Sequence, residues 1–165
     1  MSEIEKEIYE TAEKLVKLLI EKHYTIAAAE SCTGGMIASS IVYVPGASWV
    51  LNESYVTYSN EAKQRLLGVC ADTLDRFGAV SKQTAEEMVR GVADKSNANC
   101  AVSVTGIAGP DGGTPDKPVG TVYAGFFYNH KVEVEKYNLT GDRLTVRQKT
   151  TKCVIDHMIN ILENE

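Results

Sequence analysis

The sequence predicts an α/β protein built on a mainly parallel sheet, with one antiparallel strand contributed by a hairpin. Three observations carry that prediction. Apolar residues recur at helical spacing in three long segments, at residues 3–22, 81–96 and 142–162. Short β-rich or apolar runs fall between them, at Thr25–Ala29, Ser54–Tyr58 and Cys100–Val104. Two longer β-rich runs, Val119–Tyr128 and Lys131–Tyr137, flank Asn129-His130, a pair suited to a tight turn.

In chain order, Ile4, Ile8, Ala12, Leu15, Leu18 and Leu19 lie three or four apart and mark one face of a first helix. His23 follows, where an imidazole suits the negative end of the helix. Thr25–Ala29 has the composition of a short buried strand. Residues 34–43, with Met36, Ile37, Ser39, Ser40 and Ile41, form a helix packed through small residues and ended by Pro45-Gly46. Trp49–Asn52 carries no clear pattern. After the strand at 54–58, Ser59 or Asn60 caps a helix that Gly68 closes. The helix from Ser81 to about Ser96 places Ala85, Met88, Val89 and Val92 on one face. Cys100–Val104 is a continuous small-apolar run, as expected of a strand buried on both faces. The closing helix carries Leu144, Val146, Val154, Ile155, Met158 and Leu162.

All 165 residues are expected to form one domain, since no internal repeat, low-complexity tract or linker interrupts the pattern. The net charge of −5 argues against a broad nucleic-acid or acidic-membrane surface, while leaving room for a local basic pocket for one phosphate. No apolar run approaches the ~18 residues that a membrane span needs. The acidic start Met1–Glu7 lacks the basic and apolar parts of a secretory signal. Cys32, Cys70, Cys100 and Cys153 are scattered, and with only His23, His130 and His157 beside them no zinc spacing occurs. These features predict a cytoplasmic, reduced protein whose cysteines mostly pack. Cys32 is the one that could be reactive.

Five features fall at strand ends or helix starts, where open α/β sheets place their sites. The first is Ala27–Gly35. Ser31 and Thr33 either cap the next helix or, in the case of Ser31, provide a nucleophile exposed at a glycine-rich turn. The second is Tyr58 with Lys63. A serine needs a base, no histidine stands at a suitable position, and a desolvated lysine can take the serine proton; a solvated helix lysine is the alternative. The third is Thr105-Gly-Ile-Ala-Gly-Pro-Asp-Gly-Gly113, whose glycines allow backbone N–H groups to converge on a phosphate or oxyanion, or simply make a surface turn. It is neither a Walker loop nor a dinucleotide fingerprint. The fourth continues it through Thr114–Gly120, where Lys117 is either solvated or a local charge. In all, the loop from 105 to 120 is too long for a plain connection. The fifth is Gly141–Arg147. Asp142 reads as an N-cap, and Arg143 and Arg147, four apart, form either a monophosphate clamp or a surface pair. Together these features suggest hydrolysis of a small phosphorylated substrate.

The residues Ala29-Glu-Ser-Cys-Thr-Gly-Gly35, Val56-Thr-Tyr-Ser-Asn-Glu-Ala-Lys63, Leu67-Gly-Val69, Gly78-Ala-Val-Ser81, Thr105–Gly120 and Gly141-Asp-Arg143 resemble, in order, the motifs of the CinA C-terminal domain family. That family includes stand-alone bacterial nicotinamide-nucleotide amidases. The resemblance runs from about residue 5 to the C-terminus. It implies a three-layer α/β/α fold with a five-stranded mixed sheet. It also implies hydrolysis of nicotinamide mononucleotide to nicotinate mononucleotide and ammonia through an acyl-enzyme. Ser31 would be nucleophile and Lys63 general base, with Tyr58 and Thr105 supporting the pair or touching substrate. Backbone groups of Thr33, Gly34 and Gly35, and of Gly106, Ala108 and Gly109, would line the oxyanion and nucleotide sites. Arg143 or Arg147 would meet the phosphate. A homo-oligomer, commonly a dimer, is implied, with no metal or other cofactor and no nucleic-acid or membrane partner. Trp49–Ser54 departs from the aromatic and glycines usual in the family, which bears on pocket shape and substrate preference. A stand-alone enzyme, without the larger N-terminal domain of full-length members, is expected. Two other readings stay open: a nucleotide-binding or regulatory module without turnover, and Cys32 as nucleophile.

Overall fold

The computed structural model describes residues 1–165. The elements run α1 (Glu3–Lys22), β1 (Ile26–Glu30), α2 (Met36–Val42), a 3₁₀ turn (Ala47–Trp49), β2 (Leu51–Val56), α3 (Asn60–Leu67), α4 (Ala71–Phe77), α5 (Lys82–Ser96), β3 (Cys100–Gly106), β4 (Thr121–Tyr128), β5 (Lys131–Asn138) and α6 (Arg143–Glu163). The five strands form one sheet in the order β2-β1-β3-β4-β5. β1 is parallel to both β2 and β3, and β4 is antiparallel to both β3 and β5. Four strands therefore point one way, and β4, the first arm of the hairpin, is the single antiparallel strand.

Side-chain alternation divides the core into two layers. Ile26 and Ala28 of β1 and Cys100, Val102 and Val104 of β3 face α1, α2 and α6. On that side Leu15, Leu19, Phe126, Ile155, Met158 and Leu162 fill the space, each worth about 1.5–3 kcal/mol of apolar burial. Ala27, Ala29 and Ala101 face α3, α4 and α5. This second layer is thinner because its strand residues are small. A Cβ added at Gly125 would lie 2.5 Å from Ser103 Oγ and 2.7 Å from the Ala85 carbonyl oxygen, so only glycine lets α5 lie this close to β4. Ser103 Oγ seals the contact by donating to the Ala85 carbonyl at 2.7 Å. The expected α5 face, Ala85, Met88, Val89 and Val92, is fully buried.

Local chemistry fixes the ends of the elements. Ser2 and Glu5 form a reciprocal capping box at α1. Of the two candidate caps for α3, Ser59 serves, accepting from the Ala62 N–H at 3.0 Å. Ser81 caps α5 at 3.1 Å and Asp142 caps α6 at 2.8 Å. Asn129 and His130 both take positive φ, 48° and 61°, as a two-residue hairpin turn requires.

Two elements differ from expectation. β2 begins at Leu51 and ends at Val56, rather than spanning 54–58. It is an edge strand whose residues alternate half-buried and exposed, so its first half, Leu51-Asn-Glu, looks polar in sequence. Helix α4 was not expected: it buries only Thr73 and Leu74, which is too little to print a helical period. No helix is long and apolar enough to cross a membrane. The C-terminal ends of β1, β2 and β3 and the starts of α2, α3 and α6 converge at one end of the sheet.

Candidate active site

Glu30, the last residue of β1, is fully buried. Its carboxylate accepts from Thr33 Oγ1 at 2.6 Å and from the N–H groups of Gly35, Ile37 and Ala38 at 3.1, 3.0 and 2.9 Å. The start of α2 is thus capped by a strand residue. Neither Ser31 nor Thr33 caps it: the N-cap position is Gly35, which has no side chain to offer. Gly34 and Gly35 take φ of 59° and 95°, left-handed conformations that let the chain turn sharply between Ser31 and α2. The Ser31 N–H donates to the Val104 carbonyl at 3.1 Å and the Gly34 N–H to the Ser31 carbonyl at 3.1 Å. The N–H groups of Cys32 and Thr33 have no acceptor within the chain.

Ser31 Oγ lies 3.0 Å from Lys63 Nζ. Lys63 is 1% exposed, the largest fully buried side chain in the protein. Its amine also meets the Thr57 carbonyl at 2.9 Å and the Tyr58 carbonyl at 3.2 Å, and it forms no ion pair with any carboxylate. Burial lowers its pKa from the ordinary lysine value. Two carbonyls suit the two N–H bonds of a neutral amine, whose lone pair then faces the Ser31 hydroxyl. The solvated alternative for Lys63 does not apply.

The two arginines, one helical turn apart, do different things. Arg147 donates to the Cys32 carbonyl at 3.0 Å and the Thr33 carbonyl at 2.8 Å, bracing the Ser31 turn. Arg143, which is exposed, donates to the Gly109 carbonyl at 2.7 Å and to Tyr58 Oη at 3.0 Å. Tyr58 is itself 61% exposed, so its phenol belongs to the rim while its carbonyl serves Lys63. Thr105 is buried, and its hydroxyl donates to the Ala79 carbonyl at 2.7 Å, tying β3 to the segment before α5. Gly106 ends β3, and the N–H groups of Ala108 and Gly109 have no acceptor within the chain. Lys117 is neither free nor aimed at the Ser31–Lys63 pair; it donates to the Phe77 carbonyl at 2.8 Å.

A cleft of about 610 Å³ opens beside the Ser31 turn, lined by Gly34, Gly35 and Arg147 together with Tyr9, Met36 and Tyr43. Cys32 is buried, and burial pushes its thiol up to about 12, which removes the thiolate that a cysteine nucleophile needs. The departing segment Trp49–Ser54 runs from the last residue of the 3₁₀ turn into the first part of β2, whereas the carbonyls that hold Lys63 lie beyond the other end of that strand. Glu133, Glu135 and His157 bring metal-ligating atoms together, but on β5 and α6, away from Ser31. The residue that sequence reasoning missed is Glu30. Its signal was there, as a lone acid ending an apolar run just before a glycine turn.

Known proteins share this architecture and much of the sequence. The family model for the CinA C-terminal domain matches residues 8–162. A competence-damage inducible protein of Clostridium acetobutylicum is 53% identical over 139 residues, covering 84% of this chain and 34% of that protein. One from Clostridium perfringens is 49% identical over 154 residues, covering 93% of this chain and 37% of its own length. The chain thus spans about a third of the length of these curated relatives. Among solved structures, the competence/damage inducible protein CihA from Agrobacterium tumefaciens superimposes with a TM-score of 0.92 at 38% identity, covering 95% of this chain and 96% of that one. A CinA superfamily protein from Escherichia coli gives 0.91 at 27% identity, covering 98% and 93%. By sequence and by fold, the chain belongs to the CinA C-terminal domain family.

Proposed function

We propose that this domain is an amidohydrolase that converts nicotinamide mononucleotide to nicotinate mononucleotide and ammonia, a step of pyridine-nucleotide salvage. The observation that carries the reading is the 3.0 Å contact between Ser31 Oγ and a buried lysine amine that has only carbonyl partners besides. Neutral Lys63 takes the Ser31 proton as Oγ attacks the carboxamide carbon. The N–H groups of Cys32 and Thr33, unclaimed by the chain, are the donors at hand for the resulting oxyanion. The tetrahedral species collapses, the C–N bond breaks, and Lys63 returns the proton to the departing nitrogen, which leaves as ammonia. Water, deprotonated by Lys63, then cleaves the Ser31 ester to release the acid and restore the hydroxyl. Arg143 rather than Arg147 is the better phosphate partner, because it is exposed while Arg147 is half-buried and committed to the Cys32 and Thr33 carbonyls.

The test is ammonia release from nicotinamide mononucleotide by the wild type, Ser31→Ala and Lys63→Ala proteins. The wild type should turn over and both variants should fall by several orders of magnitude, about 10⁴-fold or more. A Ser31→Ala protein at full rate would sink the mechanism. Nucleotide binding in a calorimeter without ammonia release would favour a regulatory binding module instead.

A further inference from the structure

We infer that Glu30 is a positioning residue for Ser31, joining the two halves of the Ser31–Lys63 pair through its side chain and its main chain. The inference rests on the reading of Ser31 as nucleophile.

The side chain gathers four donors from the segment 33–38. A buried carboxylate needs such donors, since no cation pairs with it. A helix start of this kind could be capped locally by Ser, Asn or Asp. Here the cap comes from the residue directly before Ser31, so the nucleophile is held between a fixed strand end and a fixed helix start. The carboxylate also sorts the N–H groups around the turn. It takes those of Gly35, Ile37 and Ala38, which would otherwise present the start of α2 to an anion, and leaves those of Cys32 and Thr33 open.

The main chain of Glu30 reaches the other half. Its carbonyl accepts from the Thr57 N–H at 2.9 Å, and the Thr57 carbonyl in turn accepts from Lys63 Nζ at 2.9 Å. One residue therefore sets the Ser31 turn with its carboxylate and the Lys63 acceptor with its backbone. Thr33 is the handle on this arrangement, because its hydroxyl makes the shortest of the four bonds at 2.6 Å.

Glu30→Gln keeps the volume but turns one acceptor into a donor facing N–H groups, and it is the direct variant. Thr33→Val removes a single donor at nearly constant shape, and it carries the test if Glu30→Gln does not fold. Two readouts apply: steady-state ammonia release from nicotinamide mononucleotide, and the rate at which a fluorophosphonate phosphonylates Ser31 with loss of fluoride, followed by mass spectrometry. Thr33→Val should lose about a hundredfold in kcat, as expected for a misplaced reacting group. KM should stay within about twofold. The phosphonylation rate should fall in parallel, and Thr33→Ser, which restores the hydroxyl, should recover both. A Thr33→Val protein that melts earlier yet keeps kcat and the phosphonylation rate would reduce Glu30 to a stabilising cap and overturn the inference. If wild-type Ser31 is phosphonylated but the protein releases no ammonia, the amidase reading fails while the phosphonylation rates still judge Glu30. If wild-type Ser31 is not phosphonylated, both fall.

Discussion

Helices α3 and α6 each send a cation to the Ser31 turn, Lys63 and Arg147, and the two are held alike. Lys63 meets the carbonyls of Thr57 and Tyr58, and Arg147 meets those of Cys32 and Thr33. Neither touches a carboxylate; the helix ion pairs lie on other faces, such as Lys17 with Glu13 at 3.1 Å and Arg90 with Glu86 at 2.9 Å. The outcomes differ because the side chains differ. A guanidinium stays charged in any protein setting, and its planar fork spans two successive carbonyls, so Arg147 acts as a brace. An ammonium in the same surroundings is destabilised by burial and can give up its proton, so Lys63 can act as a base. A carboxylate beside Lys63 would have kept it charged and useless for that purpose.

The contrast would vanish if the two cations could trade chemistry. The largest effect is expected for Lys63→Arg, which keeps the charge and removes the base; ammonia release should fall at least about a thousandfold. Retained turnover would mean that Lys63 serves only as a charge. Next comes pH. The rate should climb about tenfold per unit below the Lys63 midpoint and level off above it, with that midpoint under the ordinary lysine value of about 10.4. Stability should move in the same direction. Between the folded midpoint and the ordinary lysine range the unfolded chain binds the extra proton, so stability rises with pH there. Buried Cys32 and Cys100 oppose this, because their thiols are pushed up to about 12 and stability is lost as pH climbs from about 8.5 toward that value. The lysine contribution is therefore the difference in Tm trend between wild type and Lys63→Met, which calorimetry across the alkaline range would reveal.

Smaller effects sharpen the arginine side. Arg147→Lys keeps the charge but cannot span both carbonyls; kcat should drop roughly tenfold to a hundredfold, with a stability loss of about 1–3 kcal/mol by urea titration. Arg143→Ala should raise KM for nicotinamide mononucleotide about tenfold and leave KM for nicotinamide riboside nearly unchanged. Equal changes for the two substrates would remove Arg143 from the phosphate site. Cys32→Ala should cost about 1 kcal/mol of packing and leave turnover close to wild type, as ammonia release would show.

Much of this was legible in the sequence where a pattern is long or a cap is local. Helices α1, α5 and α6 print their faces over fifteen residues or more, and Ser81 and Asp142 announce two of the starts. Ser31 and Lys63 stood out by residue type and position. What stayed hidden depends on contacts between distant segments. Arg143 and Arg147 share a helix face, and spacing alone cannot say that one holds Cys32 and Thr33 while the other reaches Gly109 and Tyr58. Thr105 lies in a conspicuous motif, yet its hydroxyl is bound to Ala79, 26 positions away. Glu30 looked like the end of a strand because its four partners exist only once the turn has formed.

The place of β2 at the rim of the sheet has one more consequence. Ser31 hangs from β1, which is flanked by strands on both sides, whereas the carbonyls that hold Lys63 follow β2, which has a neighbour on one side only. Ser31 is anchored in the interior, and the acceptors of Lys63 at the margin. Mild urea should loosen the margin first, so that deuterium uptake at the β2 amides and loss of turnover advance together while the rest of the sheet is still closed. Inactivation would then be the parting of two otherwise intact pieces, reversible on dilution, well before the chain unfolds.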